Sequence, residues 1–399
     1  MPIGFSNSIL GAGAGSTADF SLYDGSNDVT FTRNAAVQGF LGFAAFNDEY
    51  GVSLHIKDAG GSNADQIRYD VVRNNGGSLS IPSQDQTFLT SSTSNYTNFK
   101  ANLVRTNAGN IFIDTNDAET NDAAIFSISG STVTKHSHFN STQSSGAGGR
   151  MYRRPGGNVY VNFETRGAEL VTLTDNGNSS STSTGAATSI ASSNMFYNHN
   201  RAVSAFKDAN TALMWKSLQA SGESATIQPF ELDLTSTGTQ SVTTISGVSA
   251  LDLDLNGSSS NVVDFSNAGA SEYETTDFND TLMFIERKGS TPGQVRVHQY
   301  TSGAGSITTS NTLTYSAGGD NDISATGCFV GADNDVFVFA HLQDGSNMII
   351  CKFIKSTNTV SQIARISETF NIEKCRISRW GDNAALLQYN DTKMRLIKL

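Results

Sequence analysis

The run Asp252-Leu-Asp254-Leu-Asn256-Gly257 carries side-chain oxygens at every second position. That pattern is the first half of a calcium loop, in which alternate oxygens wrap a hard cation. Two features oppose it. The twelfth position is Val263 instead of Glu, and Leu251, Leu253 and Leu255 interleave the acids as in a strand with one wet face. His136-Ser-His138 puts two imidazoles on one face of a strand, a start for a transition-metal site. No third ligand has matching spacing, so the pair reads as exposed strand histidines. Asp114 to Asp122 is an acidic run that fits a solvated hairpin turn with Asx bonds. Arg150, Arg153 and Arg154 form a basic cluster in an acidic chain, suited to an anionic partner or an acidic neighbouring subunit.

Other chemistries lack their residues. No Gly-x-Ser-x-Gly elbow occurs, and Gly11-Ala-Gly-Ala-Gly15 neither follows a strand nor opens a helix, so it is no phosphate cradle. Cys328, Cys351 and Cys375 are odd in number, widely spaced and set in apolar runs, which reads as buried free thiols. Reduced thiols fit synthesis in a cytosol. No catalytic residue, cofactor or resident metal is expected, and the chain is read as a non-enzyme.

The elements that carry these residues are strands. Of 399 residues, 37% are hydrophobic and 16% charged, and roughly a third are Ser, Thr or Asn. Such a composition disfavours helical bundles. The net charge of −11 excludes a sequence-independent grip on nucleic acid, which needs clustered Lys and Arg. No apolar run is long enough for a membrane-spanning helix, and Met1 to Gly15 has no basic start of a secretory leader.

A cell recurs along the chain: a turn with Asn or Asp, then β-type alternation. It is seen at Glu49–Ile56, Asn110–Asp114, Asn158–Phe163, Asn210–Trp215, Asn279–Ile285, Asn334–Phe339 and Asp382–Gln388. A strand-like run precedes each cell, a second follows, and a more polar third follows that, such as Thr239–Ile245, Ser306–Tyr315 or Val360–Ser367. Four short strands per unit of about 50 residues is the arithmetic of a β-propeller blade. The expected fold is therefore all-β: a seven-bladed β-propeller of four-stranded antiparallel blades. A two-domain β-sandwich is the main rival. The last unit stops at Leu399 one strand short, and Asp19–Tyr23 or Val29–Thr32 can complete it. The division is residues 1–15 as an N-terminal arm and 16–399 as the propeller. In the arm Ile3, Phe5, Ile9 and Leu10 are apolar and call for burial, which suggests docking on a neighbouring subunit. The Asn176–Ser193 stretch reads as a long loop or a polar outer strand.

The texture as a whole, with the opening Met-Pro-Ile-Gly-Phe-Ser-Asn-Ser-Ile-Leu-Gly, resembles bacteriophage virion proteins of the tail, fibre-attachment and head-decoration types. Some phage tail nozzles are built on propellers. The resemblance is one of style and transfers no individual residue. It implies a structural protein of the virion, made in the host cytoplasm, with other virion proteins and copies of itself as partners. A carbohydrate-binding propeller is the alternative, stacking sugars on Tyr96, Tyr152, Tyr197 or Trp380, with host-surface glycan as ligand. A glycan hydrolase or lyase is the third reading and requires converging carboxylates or arginines.

Overall fold

The computed structural model describes residues 21–22, 29–30, 37–57, 66–90, 100–105, 110–116, 122–140, 150–153, 159–164, 167–175, 180–191, 205–218, 226–235, 238–241, 244–253, 280–288, 293–315, 325–330, 335–344, 347–369, 376–380, 384–389 and 392–398. Among the described residues every regular element is a strand, and the strands group into seven sheets. Val37–Ala45, Tyr50–Lys57, Gln66–Asn74 and Leu79–Thr90 form the first, paired in chain order as an antiparallel meander. Lys100–Arg105, Ile111–Asn116, Asp122–Ser129 and Thr132–Asn140 repeat that order in the second. So do Ala325–Val330, Val336–Asp344, Asn347–Ile354 and Thr359–Ser367 in the sixth.

The recurring cell of the sequence is the second strand in six of the seven sheets, and in the fifth it is the first described strand, Thr281–Lys288. In Tyr50–Lys57 six consecutive residues are buried, not every second one. Both faces of this strand are covered, so both must be apolar or internally paired. The core accordingly lies between sheets. One cluster joins Val52, Leu54, Ile56 and Ile67 of the first sheet to Leu103, Ile111 and Phe126 of the second. Another joins Leu213, Trp215 and Ile227 to Leu282, Phe284 and Tyr300. A third joins Val336, Val338 and Ile350 to Ile377, Ala385 and Leu387.

Consecutive sheets touch from the first to the third and from the fourth to the seventh. Lys100–Arg105 lies against Arg150–Arg153, and Leu313–Tyr315 lies against Thr359–Ser367. The last sheet, built on Arg376–Trp380, Ala384–Tyr389 and Lys393–Lys398, then packs on the first. Phe40, Phe43 and Val72 meet Trp380, Leu386, Met394 and Leu396 in that seam. Both N-terminal candidate strands reach the terminal strand: Ser21 and Leu22 stand opposite Lys398 and Ile397, and Val29 and Thr30 opposite Met394 and Lys393.

One stretch departs from the expected order. Thr239–Ile245 is not a simple outer strand of its own unit. Gly238–Ser241 instead pairs in parallel with Ser180–Ala191 of the preceding sheet, and Leu251–Asp252 takes the outer place beside Thr226 and Ile227. The Ser/Thr-rich stretch thus supplies an outer strand with partners on both sides, which leaves its edge closed.

Candidate functional site

The densest polar cluster of the described residues sits on the first sheet, on the face turned to the last sheet. Ser53 is on this face, since Gln388 Nε2 donates to its Oγ across the seam. Alternation carries His55 and Lys57 to the same side. Val72 packs into the same seam, which carries Asp70 and Arg68 there from the neighbouring strand. His55 and Asp70 are fully buried.

Asp85 completes the cluster from Leu79–Thr90. The register shifts opposite Tyr69 and Val71, and within the bulge Asp85 adopts a φ of 53°. A bulge re-aims a side chain, and here it turns the Asp85 carboxylate into the sheet. Its backbone N–H donates to Asp70 Oδ1 at 2.8 Å, and Arg68 donates to its carbonyl. The carboxylate stands 3.1 Å from His55 Nε2, 3.2 Å from Lys57 Nζ and 3.2 Å from Arg68 Nε. Burial pushes the Asp85 carboxyl up, but the hydrogen bonds from His55 and Lys57 and the Arg68 charge outweigh it, and the group lies well below the usual carboxylate range. The other imidazole nitrogen, Nδ1, faces Asp70 Oδ2 at 3.6 Å.

A matching cluster occupies the fifth sheet, built on Thr281–Lys288, Gly293–Thr301, Thr308–Thr309 and Leu313–Tyr315. Glu286 holds the register place of His55, since His55 stands opposite Arg68 and Glu286 opposite Arg296. Two residues beyond each arginine come Asp70 and His298. Acid and imidazole are thus exchanged between the two strands. Glu286 Oε2 is 2.7 Å from His298 Nε2 and 2.6 Å from Arg296 Nε, and His298 Nδ1 is 2.9 Å from Thr309 Oγ1. Leu282 and Phe284 point this cluster at the preceding sheet, as in the first sheet.

Hydrogen bonds tie other seams. Trp380 Nε1 donates to Asn47 O at 3.0 Å and Trp215 Nε1 to Met283 O at 3.1 Å, each from one sheet to the next. Asn311 Nδ2 donates to Val360 O while its Oδ1 accepts from Val360 N, so an amide side chain copies a strand pairing.

The residues singled out from sequence are scattered. Asp252 is exposed on Leu251–Asp252, and Asp254 and Asn256 lie outside the described residues. His136 falls at a register shift between Lys135 and Ser137, so simple alternation with His138 is broken there. Arg150 and Arg153 lie on Arg150–Arg153 opposite Phe163 and Tyr160. Arg154, the 1–15 arm with Ile3, Phe5, Ile9 and Leu10, and Tyr96, Tyr197 and Cys375 lie outside the described residues. Trp380 is no sugar platform: it is 2% exposed, with its ring 4.8 Å from that of Phe43. Cys351 is a buried free thiol, and burial pushes it far up. Among the described residues no set of His, Cys, Asp and Glu is arranged to hold a metal ion. The His55 and Glu286 clusters escaped sequence reading because their paired members come from different strands, 10 to 30 residues apart. The available signal was charge on a face that is otherwise apolar.

No family model and no curated protein matches this chain. Among solved structures, it is similar to the WD40 repeats of RRP9, at 8% identity and a TM-score of 0.48, covering 95% of this chain and 100% of that one. It is also similar to the periplasmic gluconolactonase PpgL of Pseudomonas aeruginosa, at 11% identity and a TM-score of 0.48, covering 85% and 88%. A third is the virginiamycin B lyase of Staphylococcus aureus, at 12% identity and a TM-score of 0.47, covering 95% and 99%. These neighbours include both enzymes and a repeat protein, and none of their activities is carried over.

Proposed function

We propose that the chain is a non-enzymatic structural protein, a seven-bladed propeller serving as a platform in the tail or on the surface of a tailed bacteriophage particle. The observation that carries the reading is the cycle of contacts. Consecutive sheets touch from the first to the third and from the fourth to the seventh, Gly238–Ser241 runs on from the fourth sheet to pair in the third, the last sheet packs on the first, and two N-terminal segments pair on the terminal strand. A closed ring removes free strand edges and holds its loops rigidly on two faces, which suits a platform. The buried charges support a structural role as well. His55 is occupied with Asp70 and Asp85 within the first sheet, and Glu286 with His298 within the fifth. The particle assignment rests on the resemblance of the sequence to virion proteins. In this reading the 1–15 arm docks on a neighbouring subunit, and Arg150, Arg153 and Arg154 meet an acidic surface.

The test is the assembly state in the source particle, by native mass measurement and electron-microscope class averages. Particle-attached copies in a fixed symmetric number, lost when residues 2–15 are deleted, are expected. A protein absent from particles, or an assembly indifferent to that deletion, overturns the role.

A further inference from the structure

We propose that His55 is held by the fold as an imidazolium, so that joining the first sheet to the last is a proton-binding event, while His298, at the fifth-sheet place that matches Asp70, keeps a single ring proton. The contrast lies in what each nitrogen faces. A neutral imidazole has one N–H donor and one lone pair, and an imidazolium has two donors. Around His55 both nitrogens face carboxylates: Asp85 Oδ1 at 3.1 Å and Asp70 Oδ2 at 3.6 Å. An ionised carboxylate only accepts. A neutral ring would therefore point its lone pair at one of the two acids, in a fully buried site where that repulsion is poorly screened. The second proton turns the repulsion into an attraction.

His298 has no such demand. Its Nε2 faces Glu286 at 2.7 Å, but its Nδ1 faces the Thr309 hydroxyl at 2.9 Å. A hydroxyl donates to a lone pair as readily as it accepts. One ring proton, on Nε2, satisfies both neighbours, and Arg296 neutralises Glu286.

The charged groups placed around His55 come from three strands of its own sheet. Its own strand brings Lys57, the next brings Arg68 and Asp70, and the outer strand brings Asp85. With two acids and two bases the set is neutral without His55 and carries one positive charge with it. From the last sheet come Gln388, which donates to Ser53 and has Arg376 opposite it in the register, and the apolar Met394 and Leu396. Lys393 and Arg395 alternate to the opposite face, where Arg395 reaches Glu368 at 3.4 Å.

The sign follows. An unfolded-chain histidine is only about one-tenth protonated at pH 7.5. If the folded chain keeps that proton, it binds more protons than the unfolded one, and stability falls as pH rises from about 6.5 upward. The experiment is ¹⁵N-histidine NMR on the intact chain between pH 6 and 8.5. Signals are assigned with H55Q and H298Q, or by backbone connection to Leu54 and Ile56 if H55Q does not fold. Both His55 nitrogens are expected at imidazolium shifts at pH 7.5, while His298 shows one protonated and one bare nitrogen. Asp70→Asn is expected to return His55 to a single proton and to flatten the pH dependence of the unfolding midpoint. A His55 that titrates like a free imidazole, or that stays an imidazolium in D70N, overturns the proposal.

Discussion

Trp380 is the sharpest test of the closing seam. Its indole is 2% exposed, packs 4.8 Å from the Phe43 ring, and donates across the seam to Asn47 O at 3.0 Å. Asn47 also organises the receiving turn, since its Oδ1 accepts from the N–H of Glu49 and of Tyr50. Trp380→Phe keeps an aromatic ring and removes the donor. The lost hydrogen bond costs about 0.5–1.5 kcal/mol. The unfilled volume adds about 1–2 kcal/mol, so roughly 1.5–3.5 kcal/mol in total is expected. Trp380→Ala, which also empties the ring site, should cost about 3–5 kcal/mol. The assay is urea unfolding followed by fluorescence. The chain has only two tryptophans, so in W380F the remaining probe is Trp215, buried between the fourth and fifth sheets. If the ring is one cooperative unit, Trp215 reports the whole loss through a lower midpoint at unchanged slope. A loss below about 1 kcal/mol, or a Trp215 transition that does not move, would refute the view that this seam holds the ring together.

Other perturbations address separate contacts. A Cβ at Gly51 would overlap the Phe43 ring and push it off Trp380, so Gly51→Ala is expected to cost about 1–3 kcal/mol in the same assay, against near-neutral change for an exposed strand position. Asp85→Asn keeps a residue tolerant of positive φ but removes the charge. Because the Asp85 carboxyl sits below its usual range, its contribution is present above about pH 4 and lost as pH falls further. D85N should lower the unfolding midpoint at neutral pH and weaken its fall in acid. Cys351, buried with its thiol pushed up, should resist alkylation until the chain unfolds, as peptide mass mapping after timed labelling can show. Deleting residues 1–30 removes both N-terminal partners of Lys393–Lys398 and bares one edge of it, which should promote association, read by light scattering.

Much of the architecture was legible in the chain. A turn with Asn or Asp followed by alternating residues marks the second strand of sheet after sheet, because covalent geometry sends successive side chains to opposite faces. The spare β-like runs near the start were legible for the same reason, and both are found on the terminal strand. What alternation cannot supply is the identity of the neighbour across a sheet or a seam. Gly238–Ser241 reads as an outer strand of its own unit, yet pairs with the preceding sheet, because backbone pairing is indifferent to chain order. Trp380 is open in sequence between a sugar platform and core packing and proves to be core, because the sheet that covers it begins more than 300 residues earlier. The His55 cluster depends on hairpin lengths, on the bulge at Asp85 and on the seam with the last sheet. Residue type along the chain determined that strands form and which positions need cover. Only the tertiary structure decided which charges meet, because burial and distance between remote segments, not local spacing, set whether a histidine faces one carboxylate or two.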